Sequence, residues 1–265
     1  MDSNQIVFIT GANTGLGFEI VKSLLQSDVA YTILLGGRSI EKANTAAKDA
    51  QAQYPESSST IETIQIDIED DDSINQAFVK IIDGYKRLDV LINNAGALFD
   101  LRADTDGLSM RELWNKTWNL NVTGTHIVTH TLMPLLLASK NPRLLFITSG
   151  TSTLTETATS PLPIDKSPPA GWPKSLGMPA YRASKCGMNM LMRQWFRVLK
   201  EDGVKVWCVS PGHLATGLGG LGKEMNAKFG AKDPALGGQI IREVVEGKED
   251  ENVGKVVRRG GPQPW

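Results

Sequence analysis

Short apolar runs alternate with stretches of helical period along most of this chain, and few folds accept that pattern. Ile6-Val7-Phe8-Ile9 and Tyr31-Thr32-Ile33-Leu34-Leu35 are nearly unbroken apolar runs, as expected of strands covered on both faces. Between them Phe18, Ile20, Val21, Leu24 and Leu25 recur at helical spacing among Glu19, Lys22 and Ser23. The alternation continues. Strand-like segments run from Ile61 to Asp67, Leu88 to Asn93, Leu144 to Thr148 and Val204 to Val209. Helix-like ones run from Ile40 to Gln53, Ser73 to Tyr85, Ser109 to Leu137 and Ala180 to Leu199. Strands alternating with helices assemble as parallel βαβ units. The pattern predicts an α/β fold: one doubly wound parallel sheet of Rossmann type, flanked by helices.

Length and composition narrow the function. The 265 residues leave room for one large domain or two small ones, and a chain of this size buries a substantial core without staples. No repeat or break in composition divides it, so a single domain over 1–265 is expected. The charge balance is 28 basic to 29 acidic residues. That argues against a nucleic-acid binder relying on a strong positive field, but leaves room for a local anion site. Two cysteines give no disulfide framework, so a reducing, cytoplasmic setting is expected. Met1-Asp2-Ser3-Asn4-Gln5 lacks the basic start and apolar stretch of a signal peptide. Apolar clusters such as Leu132 to Ala138 are too short to span a bilayer, so no membrane partner is expected.

The 26 glycines are the next signal. Thr10-Gly11-Ala12-Asn13-Thr14-Gly15-Leu16-Gly17 joins the first strand to the first helix. Gly11 lets the chain turn off the strand, Gly15 lets backbone approach a pyrophosphate, and Gly17 lets the helix pack closely on the sheet. The helix then turns its free amides and partial positive charge toward phosphate. The turn from Gly11 through Asn13, Thr14, Gly15 and Leu16 to Gly17 is the expected phosphate cradle.

A second constellation is Tyr181-Arg182-Ala183-Ser184-Lys185 at the start of a helix. A spacing of four puts Tyr181 and Lys185 on one face, a turn apart. A phenol titrates near pH 10. A neighbouring ammonium favours the phenolate and is expected to lower that value, which fits Tyr181 to exchange a proton with a carbonyl or alcohol oxygen.

The G-x-x-x-G-x-G spacing behind a leading threonine, together with Y-x-x-x-K, resembles the short-chain dehydrogenase/reductase family, in its short single-domain, carbonyl-reductase-like branch. The overall style looks like fungal members. The resemblance covers almost the whole chain and implies further roles. Asp67 and Ile68 match the family's adenine-contacting pair. Asn93-Asn94-Ala95-Gly96 matches its NNAG motif, with Asn94, Ala95 and Gly96 beside the cofactor. Ser149 and Asn121 complete a catalytic tetrad with Tyr181 and Lys185. Ser149 orients the substrate oxygen, Asn121 supports a water near the lysine, and Lys185 also binds the nicotinamide ribose. Pro211, Gly212 and Thr216 match the P-G motif and the threonine that contacts the nicotinamide carboxamide.

Members selective for NAD carry an acid at the end of the second strand. Here Gly37 holds that position, followed by Arg38 and Ser39. A guanidinium there suits a 2′-phosphate, so NADP(H) is expected over NAD(H).

The chain departs from the family between Ser149 and Tyr181. Six of its 13 prolines fall from Pro161 to Pro179, a density that blocks helix and sheet. An inserted proline-rich loop over 152–179 is therefore expected to wall the substrate pocket, with Leu162, Trp172 and Met178 as apolar contacts. A second substrate loop is expected over 213–232. Leu98, Thr151 and His213 are further candidates for substrate contact. The family pairs subunits through two long helices, so a homodimer or homotetramer is expected, or a monomer if the insertion blocks that face. His126 and His130 lack an acidic third ligand, so no metal is expected. Cys186 and Cys208 read as buried thiols. Glu69-Asp70-Asp71-Asp72 reads as a solvated helix start.

The resemblance implies an NADPH-dependent oxidoreductase that reduces a ketone or aldehyde, reversibly, on a small molecule that is a bulky secondary metabolite. Two other readings stay open: a catalytically silent NADP-binding regulator, and a cyclase or isomerase on the same fold.

Overall fold

A computed structural model describes residues 4–174 and 177–265. The reading of the first three residues as free of a leader, and positions 175–176 of the proline-rich segment, lie outside the described residues. The chain order is β1 (Gln5–Ile9), α1 (Gly15–Leu25), β2 (Tyr31–Gly37), α2 (Ile40–Gln53), β3 (Thr60–Gln65), α3 (Asp71–Tyr85) and β4 (Val90–Asn93). Then come α4 (Met110–Trp118), α5 (Thr125–Leu137), β5 (Arg143–Ile147), α6 (Leu154–Thr159), α7 (Pro179–Val198) and β6 (Lys205–Val209). The last elements are α8 (Lys223–Lys228), α9 (Ala235–Val245), β7 (Val256–Arg258) and β8 (Gly261–Gln263).

The sheet runs β3-β2-β1-β4-β5-β6-β7-β8. All pairs are parallel except the last. Strand order reverses between β1 and β4, where open α/β sheets bind ligands. Alternate residues of each strand feed two cores. Val7 and Ile9 pack with α1, α2 and α9 on one face. Ile6 and Phe8 pack with α3, α5 and α7 on the other. Both faces of the central strands are therefore dry, which is why their sequences read as continuous apolar runs. Local caps set the helix starts. Ser39 accepts from the Lys42 amide, Asp70 from Asp72 and Ser73, and Ser109 forms a reciprocal capping box with Glu112. No described helix is long and apolar enough to cross a membrane.

Five details depart from the sequence expectation. The helix from Ser109 to Leu137 is broken by a π-helical stretch, Asn119–Gly124. Gly124 lies so close to the Ile68 carbonyl that no side chain fits there. Residues 152–179 are not wholly loop, since Thr153 caps the short helix α6. The 213–232 region contains α8. β3 ends at Gln65, leaving Asp67 beyond the strand. The sheet gains β7 and an antiparallel edge strand β8, so it is not wholly parallel. Pro262 lies in that edge strand, the place in a sheet where proline is tolerated.

Candidate active site

The glycine turn is stitched to the end of β4. Thr10 Oγ1 accepts from the amides of Asn94 and Ala95 at 3.1 and 3.0 Å. Asn94 Nδ2 donates back to the carbonyls of Thr10 and Gly11 at 2.9 and 3.1 Å. Gly17 sits where a Cβ would strike the Gly11 carbonyl and the Asn94 amide, so only glycine brings α1 this close to the sheet. Thr14 caps α1 without a side-chain hydrogen bond, and its first turn carries no acid. First-turn amides have no partner within a helix, so the residues present fit a bound phosphate. The loop after β6 closes over the same turn. The side chain of Thr216 lies 3.8 Å from where a Gly15 Cβ would stand, and Pro211 and Leu214 pack near Leu16 around Gly237.

The residues expected at the adenine and ribose end lie at and just beyond the ends of β2 and β3. Gly37 and Asn13 are neighbours, Arg38 is exposed, and Ser39 caps α2. Asp67 Oδ1 accepts from the Glu69 amide at 3.1 Å, and Ile68 is buried.

The four tetrad candidates converge at the carboxyl ends of β4 and β5. Asn121 lies in the π-helical stretch and is wholly buried. Its Oδ1 accepts from the Ala97 amide at 2.9 Å. Its Nδ2 donates to the Ala97 carbonyl and to Ser184 Oγ, both at 3.0 Å. A Cβ on Gly96 would stand 3.0 Å from Asn121 Oδ1 and 3.4 Å from Lys185 Nζ, so both groups border one point. Lys185 Nζ donates to the Ile147 carbonyl at 2.8 Å and lies 5.7 Å from the Tyr181 ring centroid. Ser149 Oγ is 2.9 Å from Thr151 Oγ1.

Electrostatics here differ from the sequence expectation. Burial pushes the Tyr181 phenol up to about 12; a hydrogen bond with Ser149 works against that shift and the Asp100 carboxylate adds to it. Burial also pushes Lys185 down to about 8. The phenol therefore stands above its ordinary value, not below it. Withdrawal from water dominates, and the Lys185 ammonium donates to the Ile147 carbonyl and not to the phenol.

The substrate candidates scatter. Thr151 touches Ser149. Leu98 is buried, against Gly219. Met178 is half-buried as the cap of α7, and His213 is exposed. Trp172 is 78% exposed. Cys186 is only half-buried, whereas Cys208 is buried. His126 packs 5.5 Å from the Trp195 ring. Among the described residues no three His, Cys, Asp or Glu side chains stand close enough to hold a metal.

Sequence reading missed two residues that touch this site. Asp100 accepts from the first amides of α7, Ala180 at 2.9 Å and Tyr181 at 3.1 Å. An acid on these amides also favours the helix dipole. Arg182, inside the Y-x-x-x-K motif, donates to the Thr151 carbonyl at 2.9 Å and to Asp165 at 2.6 Å, tying the proline-rich segment to the Ser149 loop. Neither carries a sequence signal, because both partners are remote in the chain.

Fold and site together define a dinucleotide-binding α/β protein with a buried tyrosine and lysine at the sheet's switch point. The chain belongs to the short-chain dehydrogenase family, whose model matches residues 5–161 and 167–227, and it is accordingly an oxidoreductase of that family. It is 46% identical to the short-chain dehydrogenase/reductase eupG of Phoma sp., over 98% of this chain and 97% of that one. It is 43% identical to the short-chain dehydrogenase/reductase tropE of Talaromyces stipitatus, over 100% and 99%. Among solved structures it resembles an NADPH-bound carbonyl reductase from chicken fatty liver, with a TM-score of 0.77 at 20% identity, covering 99% of each chain. It also resembles a 3-oxoacyl-[acyl-carrier protein] reductase from Brucella melitensis in complex with NAD. That match has a TM-score of 0.75 at 18% identity and covers 97% of this chain and 96% of the other.

Proposed function

We propose that this chain is an NADPH-dependent carbonyl reductase that turns a ketone or aldehyde into the alcohol, within one domain that holds both cofactor and substrate. The observation that carries the reading is the meeting of Tyr181 with Ser149, and of Asn121 with Lys185, beside the glycine turn. The turn from Gly11 to Gly17 would hold the pyrophosphate, Asp67 and Ile68 the adenine, Lys185 the nicotinamide ribose and Thr216 the carboxamide. When bound, NADPH supplies the hydride. The fold accommodates either nicotinamide cofactor, as its NADPH- and NAD-bound likenesses illustrate. What favours NADPH is local: no acid stands at Gly37, and the Arg38 guanidinium is free to meet a 2′-phosphate.

The chain's own residues do the rest. Ser149 donates to the substrate oxygen and stabilises charge developing there. Tyr181 then gives that oxygen its proton. A phenol near 12 is fully protonated at neutral pH, and an alkoxide is more basic still, so the transfer runs downhill in the reductive direction. Asn121, fixed by three hydrogen bonds, gives Lys185 a rigid neighbour from which the phenol is reloaded. Similarity to fungal relatives along the whole chain, and exposed apolar groups at Leu162 and Trp172, support a bulky secondary-metabolite substrate. A panel of aromatic ketones, steroids, sugars and simple aldehydes, followed by loss of NADPH absorbance, tests the reading. Turnover is expected with a bulky cyclic ketone, and consumption of NADPH with no member of the panel would refute it.

Lys185 also predicts a pH dependence. In the free protein its ammonium is lost as pH rises through about 8. Ribose oxygens and phosphates prefer the charged form, so NADPH affinity should fall by about twofold from pH 7 to 8. Above that it should fall by up to about tenfold per pH unit. Lys185→Gln should bind more weakly at pH 7 and lose the decline. Fluorescence titration from pH 7 to 9.5 measures both, and an equal decline in the variant would contradict the assignment.

A further inference from the structure

Behind Ser149 stands a part of the chain that no motif marks. In the β7–β8 hairpin Val256 faces Gln263 and Arg258 faces Gly261. Gln263 is 4% exposed, a deep position for a long polar side chain on an edge strand. Its Nε2 donates to the Ser149 carbonyl at 3.3 Å. Its Oε1 is buried beside Gly150 with no protein partner. An amide half satisfied in this way contributes little net stability. The hairpin grips the same segment at two further places. Arg258 forms a two-pronged ion pair with Glu156 of α6, at 2.7 and 3.0 Å. The main-chain oxygen of Trp265 accepts from the Thr155 amide and from Thr153 Oγ1.

We propose that this hairpin positions Ser149 through Gln263 and anchors the root of the substrate segment through Arg258. The proposal rests on the reading of Ser149 as the group that orients a carbonyl oxygen. The geometry explains how it acts. The Ser149 carbonyl receives Ser152 N at 3.2 Å, Ser152 Oγ at 2.6 Å and Gln263 Nε2. With that peptide fixed from three sides, the hydroxyl has a fixed origin, and its Thr151 neighbour sets its direction. A group that stabilises a transition state loses most of its effect when displaced by about 1 Å. Gln263 never reaches the reacting atoms, so it is a positioning residue and not a catalytic one.

The test uses the full chain and two independent readouts. The first is hydrogen–deuterium exchange of residues 149–159. Gln263→Leu, Arg258→Glu and Glu156→Arg should each speed exchange there, and the charge-swapped Glu156→Arg/Arg258→Glu double variant should restore the slow rate. The second is turnover of the panel's best aromatic ketone with NADPH. Gln263→Leu should lower kcat by about tenfold with NADPH affinity within about twofold, and should cost nothing further in a Ser149→Ala background. Unchanged exchange in all three single variants, a swap that exchanges as fast as they do, or an equal kcat loss with and without Ser149 would each overturn the proposal. So would a fall in NADPH affinity matching the fall in kcat, since the hairpin would then only support the fold. A wild type that reduces no carbonyl would defeat the reductase reading instead, and the exchange rates would still decide whether the hairpin holds the loop.

Discussion

Tyr181→Phe is expected to lower carbonyl reduction by about 10²–10⁴-fold, the usual contribution of a positioned general acid, while NADPH affinity stays within about twofold. The substitution removes one oxygen and keeps the ring. That ring is buried, 8% exposed, at the start of α7, so the helix and its Asp100 cap should survive. The oxygen is the only group of this side chain that can hand a proton to an alkoxide. Ser149 keeps its bond to Thr151, so residual activity should reflect orientation and charge stabilisation alone. Steady-state kinetics at saturating NADPH, with fluorescence titration of the cofactor, separate the two effects. A variant that keeps more than about a third of wild-type kcat would remove Tyr181 from the chemistry. It would also revive the silent-regulator reading, because a sensor needs no proton donor.

The paired substitution Gly37→Asp with Arg38→Leu should reverse cofactor choice. Wild type is expected to favour NADPH. Each charge-assisted hydrogen bond to the 2′-phosphate is worth about 1.5–3 kcal/mol, and losing Arg38 forfeits those bonds. The added carboxylate repels the phosphate and accepts from the free ribose hydroxyls of NADH. Together the two changes should move the NADPH-to-NADH ratio of kcat/KM by about 10²–10⁴-fold. The site has room. A Cβ at Gly37 would stand 3.0 Å from Asn13 Oδ1 and 3.6 Å from Ala43 Cβ, and the Asn13 side chain can swing by the few tenths of an ångström required. Initial rates with each cofactor at fixed ketone measure the ratio. A ratio that stays within about threefold would show that Arg38 is only a surface charge.

How much of this was legible in sequence follows from the range over which each feature is encoded. β1, β2 and the turn between them could be read because their determinants are contiguous: apolar runs, then glycines at fixed offsets. Tyr181 and Lys185 could be paired because a helix brings positions four apart together. The β7–β8 hairpin escaped because its strands are three residues long and its key side chain bonds a residue 114 positions away. Asp100 escaped for the same reason, capping a helix that starts some eighty positions later. The π-helical stretch that carries Asn121 depends on Gly124 meeting the Ile68 backbone, a tertiary contact no periodicity encodes. The titration of Tyr181 was misjudged in direction. Spacing reveals the neighbouring ammonium, whereas the depth of burial that raises the phenol belongs to the folded molecule.

The hairpin also bears on the moment in synthesis at which the protein becomes competent. Domains form progressively as the chain leaves the ribosome. Ser149, Tyr181 and Lys185 emerge, and their strands can pair, well before Arg258 and Gln263 exist. Until then the Glu156 carboxylate and the Ser149 peptide lack these partners, so a nascent chain holding every sequence motif would have its serine loop loosely set. Competence would arrive only as residues 256–265 dock, which separates the birth of the cofactor fold from the birth of a finished reaction centre.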